Sequence, residues 1–413
     1  RMNQFQSPSE LTNGRLTGLD ILRAVATLLV VALHAGVPYL PETMPGLAWT
    51  VDGIAANQAN AFVTWTGWGI ECFIMPLFLV ISGVSTRVLL DRRGSVTLLA
   101  NRRDRLLKPL IYFGFPILML EFYIWNYSNV LRGSISLKQY LEFDPQDYDS
   151  RLWGLGHFWY LEYLLIYTIL LCVSCRIRET ERPATDGLYS WAGRFQYAVL
   201  LLVTLGLAIP CLSQYPNIVA DFDHSFFPVA KRIVYFAIYF AAGVSLTSCI
   251  QSSPRSAPAL GGTAFQAGGL AMTFAIPQIR MFLGGPVALP AQFTGPILAV
   301  VALGFSVGLT TLTLFWNPSI NPAMKYLSAS AYWVYFIHHL LCGTIHLVID
   351  QFEIPTLAKY GITFTGATAG SLLSYHWIIR NRWAETIFNG RKSCETSVSQ
   401  AAKPVSETPS RAA

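Results

Sequence analysis

Apolar residues run through this chain in long unbroken stretches, without the strict alternation of half-buried strands or the polar-faced stripe of a surface helix. Ten such stretches reach roughly the 20 residues that cross a bilayer, near 19–40, 62–86, 107–127, 154–175, 195–213, 227–249, 260–279, 294–316, 326–348 and 360–379. The second is long enough to cross at a tilt. The seventh is rich in glycine and contains Pro277. Lipid offers backbone groups no hydrogen-bond partner, so the expected fold class is all-α: a polytopic membrane helical bundle of about ten transmembrane helices. Residues 1–14 then form a cytoplasmic tail, 15–379 the membrane domain, and 380–413 a second tail. After Arg391 that tail is dominated by Ser, Thr, Ala and Pro, a composition that predicts disorder. No internal repeat stands out.

Lys and Arg set the expected orientation, because cytoplasmic segments of membrane proteins carry the excess. With both termini inside, cytoplasmic segments hold 21 Lys and Arg and outer segments 7, and the first outer loop, Pro41 to Asn60, holds none. This distribution accounts for the net charge of +6 and removes any need for a nucleic-acid partner. The composition, 53% hydrophobic and 13% charged, lies far from the roughly 25% charged residues of soluble domains. The N-terminal residues to Gly18 lack the pattern of a cleavable signal peptide, so the first stretch is expected to serve as its own insertion signal. The seven cysteines show no paired metal spacing, and Cys172-x-x-Cys175 ends an apolar run, where it reads as small membrane-helix residues. No metal site and no resident cofactor are expected.

Against this apolar background the ionisable residues stand out, because a charge in hydrocarbon costs at least about 2.5–3.5 kcal/mol. The first stretch carries Asp20, Arg23 and His34. Arg23 and His34 are eleven residues apart, about 16 Å and three whole turns, and therefore share one helix face. The expected orientation puts His34, His157, His338, His339, Glu121 and Glu162 in the outer half of the bundle, and Glu71 near mid-membrane. Buried ionisable groups gathered in one layer point to a functional site. The plainer reading is a set of interhelical hydrogen bonds. It is favoured for His346 and His376, near helix ends, and stands level with function for His338, His339, Glu71 and Glu121. For His34 function is favoured, because its helix also carries Asp20 and Arg23. The aromatic loop at 128–153 either covers a site or connects helices.

The basic run Arg102-Arg103-Asp104-Arg105-Leu106-Leu107-Lys108-Pro109 either fixes topology and touches lipid or binds phosphate. Arg102 and Arg105 are three apart and share a face, and two guanidiniums on one face suit bidentate phosphate recognition.

Five elements resemble, in order, the acyltransferase 3 family of integral membrane enzymes. They are Leu19-Asp20-x-Leu22-Arg23-Ala24 with the His34-Ala35 that ends the run, Met75-Pro76-Leu77-Phe78 through Ser82-Gly83, Arg102-x-x-Arg105-Leu106-x-x-Pro109, Gly156-His157-Phe158-Trp159-Tyr160-Leu161, and Ser330 through Tyr335 to His338-His339. Leu79 stands where the family more usually has an aromatic residue. The late His-His element and the Met-Pro-Leu-Phe phrase are most similar to the branch that succinylates periplasmic glucans. The resemblance implies an acyltransferase of groups other than amino-acyl groups, in the plasma (inner) membrane, with acyl-CoA as co-substrate. The implied acceptor is a cell-envelope carbohydrate or related lipid-linked molecule, so that the outcome is polysaccharide modification.

On this reading Arg102, Arg105 and Arg23 hold the donor's phosphates and His34 acts as general base. His338 or His157 positions the acceptor or stabilises the oxyanion, while Asp20, Glu71, Ser82, Glu121, Tyr335 and His339 support them. No serine has a nucleophile-elbow context, which favours direct transfer. The competing classes are a proton-coupled transporter, which inverted repeats would favour, and a non-catalytic membrane sensor or scaffold.

Overall fold

A computed structural model describes residues 16–42, 60–131, 136–137, 154–180, 195–219, 226–286, 288–316, 318 and 321–380. The N-terminal tail, most of the first outer loop, most of the aromatic loop and the C-terminal tail lie outside these residues.

The described chain is all-α. Its helices are α1 (Thr17–Gly36), α2 (Ala61–Glu71), α3 (Ile74–Arg102), α4 (Phe115–Leu131), α5 (Trp159–Thr180) and α6 (Gln196–Gln214). They continue with α7 (Ala230–Ser252), α8 (Ala257–Phe282), α9 (Thr294–Leu303), α10 (Leu309–Phe315), α11 (Pro322–Ile349) and α12 (Thr356–Ser374). Eight helical runs among the described residues are long and apolar enough to cross a membrane. One of them, Ala61–Trp125, is 65 residues long and takes in the second apolar stretch and nearly all of the third. The tenth stretch forms α12 but is not among the eight.

Local chemistry explains several boundaries. Asn60 caps α2 by accepting from Phe62 N at 2.9 Å, and Asn321 caps α11 by accepting from Met324 N at 2.8 Å with Pro322 at the first helical position. The second apolar stretch does not form one tilted helix. It breaks at Cys72–Phe73, because Pro76 has no N–H to return to the Cys72 carbonyl, and the break leaves Glu71 at the end of α2. Beyond the membrane-length portion α3 bends at Gly94, whose φ of 74° is a conformation glycine adopts at little cost. Around Pro109 the backbone passes through two π-helical turns, Arg103–Leu107 and Leu110–Gly114, the local adjustment expected where a helical hydrogen bond is lost.

Two packings position the site. α11 lies against α1, α4 and α12, which brings three helices carrying histidine or glutamate to one place. α3 and α7 approach closely through Gly83 and Gly243: a Cβ on Gly243 would sit 2.2 Å from the Val80 carbonyl oxygen. Such small-residue contacts stand in for the hydrophobic drive that lipid removes.

Candidate active site

A cavity of about 780 Å³ runs beside α1. Its α1 wall is formed by Leu16, Leu19, Asp20, Arg23, Thr27, Val30, Leu33 and His34, a stripe at one-, three- and four-residue steps that follows one helix face. Arg23 and His34 therefore look into the same space.

The Arg23 end is strongly basic. Arg92, Arg93, Arg102 and Arg105 line it together with Arg23. Arg23 donates to Asp20 at 3.2 Å and to the Ser85 hydroxyl at 3.1 Å, and Ser85 in turn donates to the Ile81 carbonyl. Arg102 donates to the Thr86 hydroxyl, and its buried Nε has no partner. The run 102–108 divides by face. Arg102 and Arg105 line the cavity, whereas Arg103 and Lys108 pair with Asp104 at 3.0 and 2.8 Å away from its wall.

The other end is a layer of imidazoles. His34 Nδ1 lies 3.0 Å from the Val30 carbonyl and 3.1 Å from His338 Nε2. His338 Nδ1 lies 3.0 and 2.9 Å from the carbonyls of Val334 and Tyr335. A carbonyl only accepts, so each Nδ1 carries the proton. His338 Nε2 then accepts from His34 Nδ1–H, and His34 keeps its lone pair on Nε2. His34 lines the cavity while His338 stands behind it. Backbone carbonyls one turn away on two helices thus set the tautomer of an imidazole on the cavity wall.

Glu121, His157 and His339 form the neighbouring cluster. Glu121 Oε2 is 3.3 Å from Nδ1 of each histidine, with all three side chains at most 5% exposed. Their ligand atoms lie within 4.8 Å of one another, a donor set that would suit a divalent cation such as zinc. Trp125, one turn beyond Glu121 on α4, donates its indole N–H to His339 Nδ1 at 3.2 Å. Glu121 also places a buried negative charge beside the histidine layer. The Tyr335 hydroxyl donates to the His157 carbonyl, and His157 lines the cavity.

The remaining candidates fall into place around these two ends. Ser82 hydrogen-bonds the Tyr160 hydroxyl, and both line the cavity between them. Glu71 lines the cavity beside the break below α2. His346 bonds the Tyr39 hydroxyl at 3.0 Å and belongs to packing. Among the described residues nothing joins Glu162 to the histidines, and it does not line the cavity. Reading the sequence missed Thr86, Trp125 and Arg232. Trp125 carried a signal, its four-residue spacing from Glu121. Arg232, beside Lys231, looked like an ordinary charge at a helix start.

Comparison with curated proteins and with solved structures found no match. A family model described as an acyltransferase domain, that of acyltransferase 3, matches residues 16–376, which takes in both ends of the cavity and every helix of the bundle. The chain belongs to the acyltransferase 3 family of multi-pass membrane acyltransferases.

Proposed function

We propose that the protein moves an acyl group from cytoplasmic acyl-CoA to a hydroxyl of a cell-envelope carbohydrate or related acceptor, in the plasma (inner) membrane. The observation that carries this reading is the single cavity with guanidiniums at one end and a tautomer-fixed imidazole at the other. Arg102, Arg105 and Arg23 hold the phosphates of coenzyme A by charge-assisted hydrogen bonds. The donor's extended arm then follows the α1 stripe past Thr27 and Val30, and its thioester reaches the histidine layer.

There His34 Nε2 takes the proton of the acceptor hydroxyl as that oxygen attacks the thioester carbonyl. The tetrahedral intermediate collapses, the C–S bond breaks, and the thiolate of coenzyme A leaves and is reprotonated by the imidazolium. Positioned acid–base groups of this kind typically contribute about 10²–10⁴-fold. His338 acts as a positioning residue, holding His34 in the Nδ1–H tautomer. Glu121 offsets the positive charge that the layer gains when His34 is protonated. His157, on the cavity wall, is placed to donate to the oxyanion.

The test is direct. Purified protein in lipid nanodiscs, given radiolabelled acetyl-CoA, should release free coenzyme A faster when a hydroxylated acceptor is added. Coenzyme A release that no alcohol accelerates would contradict transfer, and no release from any acyl-CoA would contradict the donor.

A further inference from the structure

Part of the cavity's lining plays no part in the donor's path: Glu71, Trp159, Ile218, Arg232, Tyr235 and Phe236. Trp159 follows His157 by two residues, so these residues adjoin the histidine layer. Arg232 is 5% exposed. Its guanidinium lies over Trp159, 5.4 Å from the ring centroid, and that ring stacks on Phe236 at 5.0 Å. Among the described residues no hydrogen bond or ion pair engages it, and its Nε is buried without a partner. Glu71 is close enough to feel its charge, yet the two form no ion pair.

A buried guanidinium with unused donors is costly, and Glu71 offers a half-buried carboxylate to the same cavity. A ligand that bridges the two satisfies both. An oxyanion would satisfy Arg232 but would be repelled by Glu71. A hydroxyl suits both, since it donates to a carboxylate and accepts from a guanidinium. We propose that Arg232 and Glu71 are the acceptor subsite, taking adjacent hydroxyls of a polyol such as a sugar ring and turning a neighbouring hydroxyl toward His34. This rests on the acyltransfer reading above and adds the residues that choose the acceptor. Trp159, packed against both the guanidinium and Phe236, holds Arg232 in place before the ligand arrives.

The probe is maltose, titrated calorimetrically into the full chain in nanodiscs. The wild type should bind it saturably. Arg232→Met and Glu71→Gln should each weaken binding about tenfold or more, as for loss of a hydrogen bond to a charged group. Coenzyme A titrated into the same samples should keep its affinity within about twofold, because its contacts lie at the distant end. Glu71→Gln alone leaves the buried Arg232 charge in place, so the double variant Glu71→Gln/Arg232→Met supplies a neutral pair that folds and still fails to bind maltose. The proposal is overturned if the wild type does not bind maltose, if the folded variants bind it like the wild type, or if coenzyme A affinity falls as much as maltose affinity. Maltose binding that the variants abolish, together with no turnover of any acyl-CoA, keeps the subsite and removes the acyltransfer reading instead.

Discussion

Replacing Arg102 or Arg105 with glutamine removes a guanidinium from the cavity wall while keeping a polar side chain. A hydrogen bond to a charged group contributes about 1.5–3 kcal/mol, and each 1.4 kcal/mol is a factor of ten in affinity. Each substitution should therefore raise the apparent KM for acyl-CoA about 10- to 150-fold. Arg102 belongs at the upper end, because Thr86 already holds it in place and less rotamer freedom is lost on binding. The structure supplies its own controls. Arg103 and Lys108 belong to the same basic run but pair with Asp104 outside the cavity; exposed pairs contribute only about 0–1 kcal/mol. Arg103→Gln and Lys108→Gln should leave KM nearly unchanged. The assay is coenzyme A release from radiolabelled acetyl-CoA over a range of donor concentrations, at matched protein in nanodiscs. Equal KM increases for all four variants would refute the reasoning, since a general basic surface and not two cavity-lining guanidiniums would then attract the donor.

Two further outcomes follow from the same geometry. Single cysteines placed within 43–59 and within 92–100 of a cysteine-free variant should label from opposite sides of the membrane, and labelling from one side would remove both the orientation and the donor path. Glu121→Gln, which keeps the shape but removes the buried charge beside His157 and His339, should lower kcat by about 10²-fold or more with little change in KM for acyl-CoA; a change confined to KM would place Glu121 in donor binding.

Long apolar runs made the helices readable in the sequence, because burial in lipid leaves the backbone no alternative. The shared face of Arg23 and His34 was readable for a similar reason: within one helix, spacing alone dictates direction. The layer formed by His34, His157, His338, His339 and Glu121 was readable only in outline, from the depth at which each stretch placed its residue. Its wiring was not. That His338 stands behind His34 and orients it depends on how α11 packs on α1, and no local pattern carries that information. The same holds for the break at Cys72–Phe73. Pro76 announces it in hindsight, but an apolar run containing a proline often stays helical in a membrane. Arg232 was hidden most completely: its significance lies in what does not pair with it, and only packed neighbours show that.

The most direct measurement of the central claim is the acyl-transfer rate of His34→Gln beside His34→Ala. Glutamine can still donate to the Val30 carbonyl, as His34 Nδ1 does, but it cannot take a proton at neutral pH. The account predicts that both variants insert, melt near the wild type and bind coenzyme A, and that both lose transfer by about 10²–10⁴-fold. A glutamine variant that kept most of the wild-type rate would contradict it, and would make His34 a hydrogen-bonding residue rather than the base.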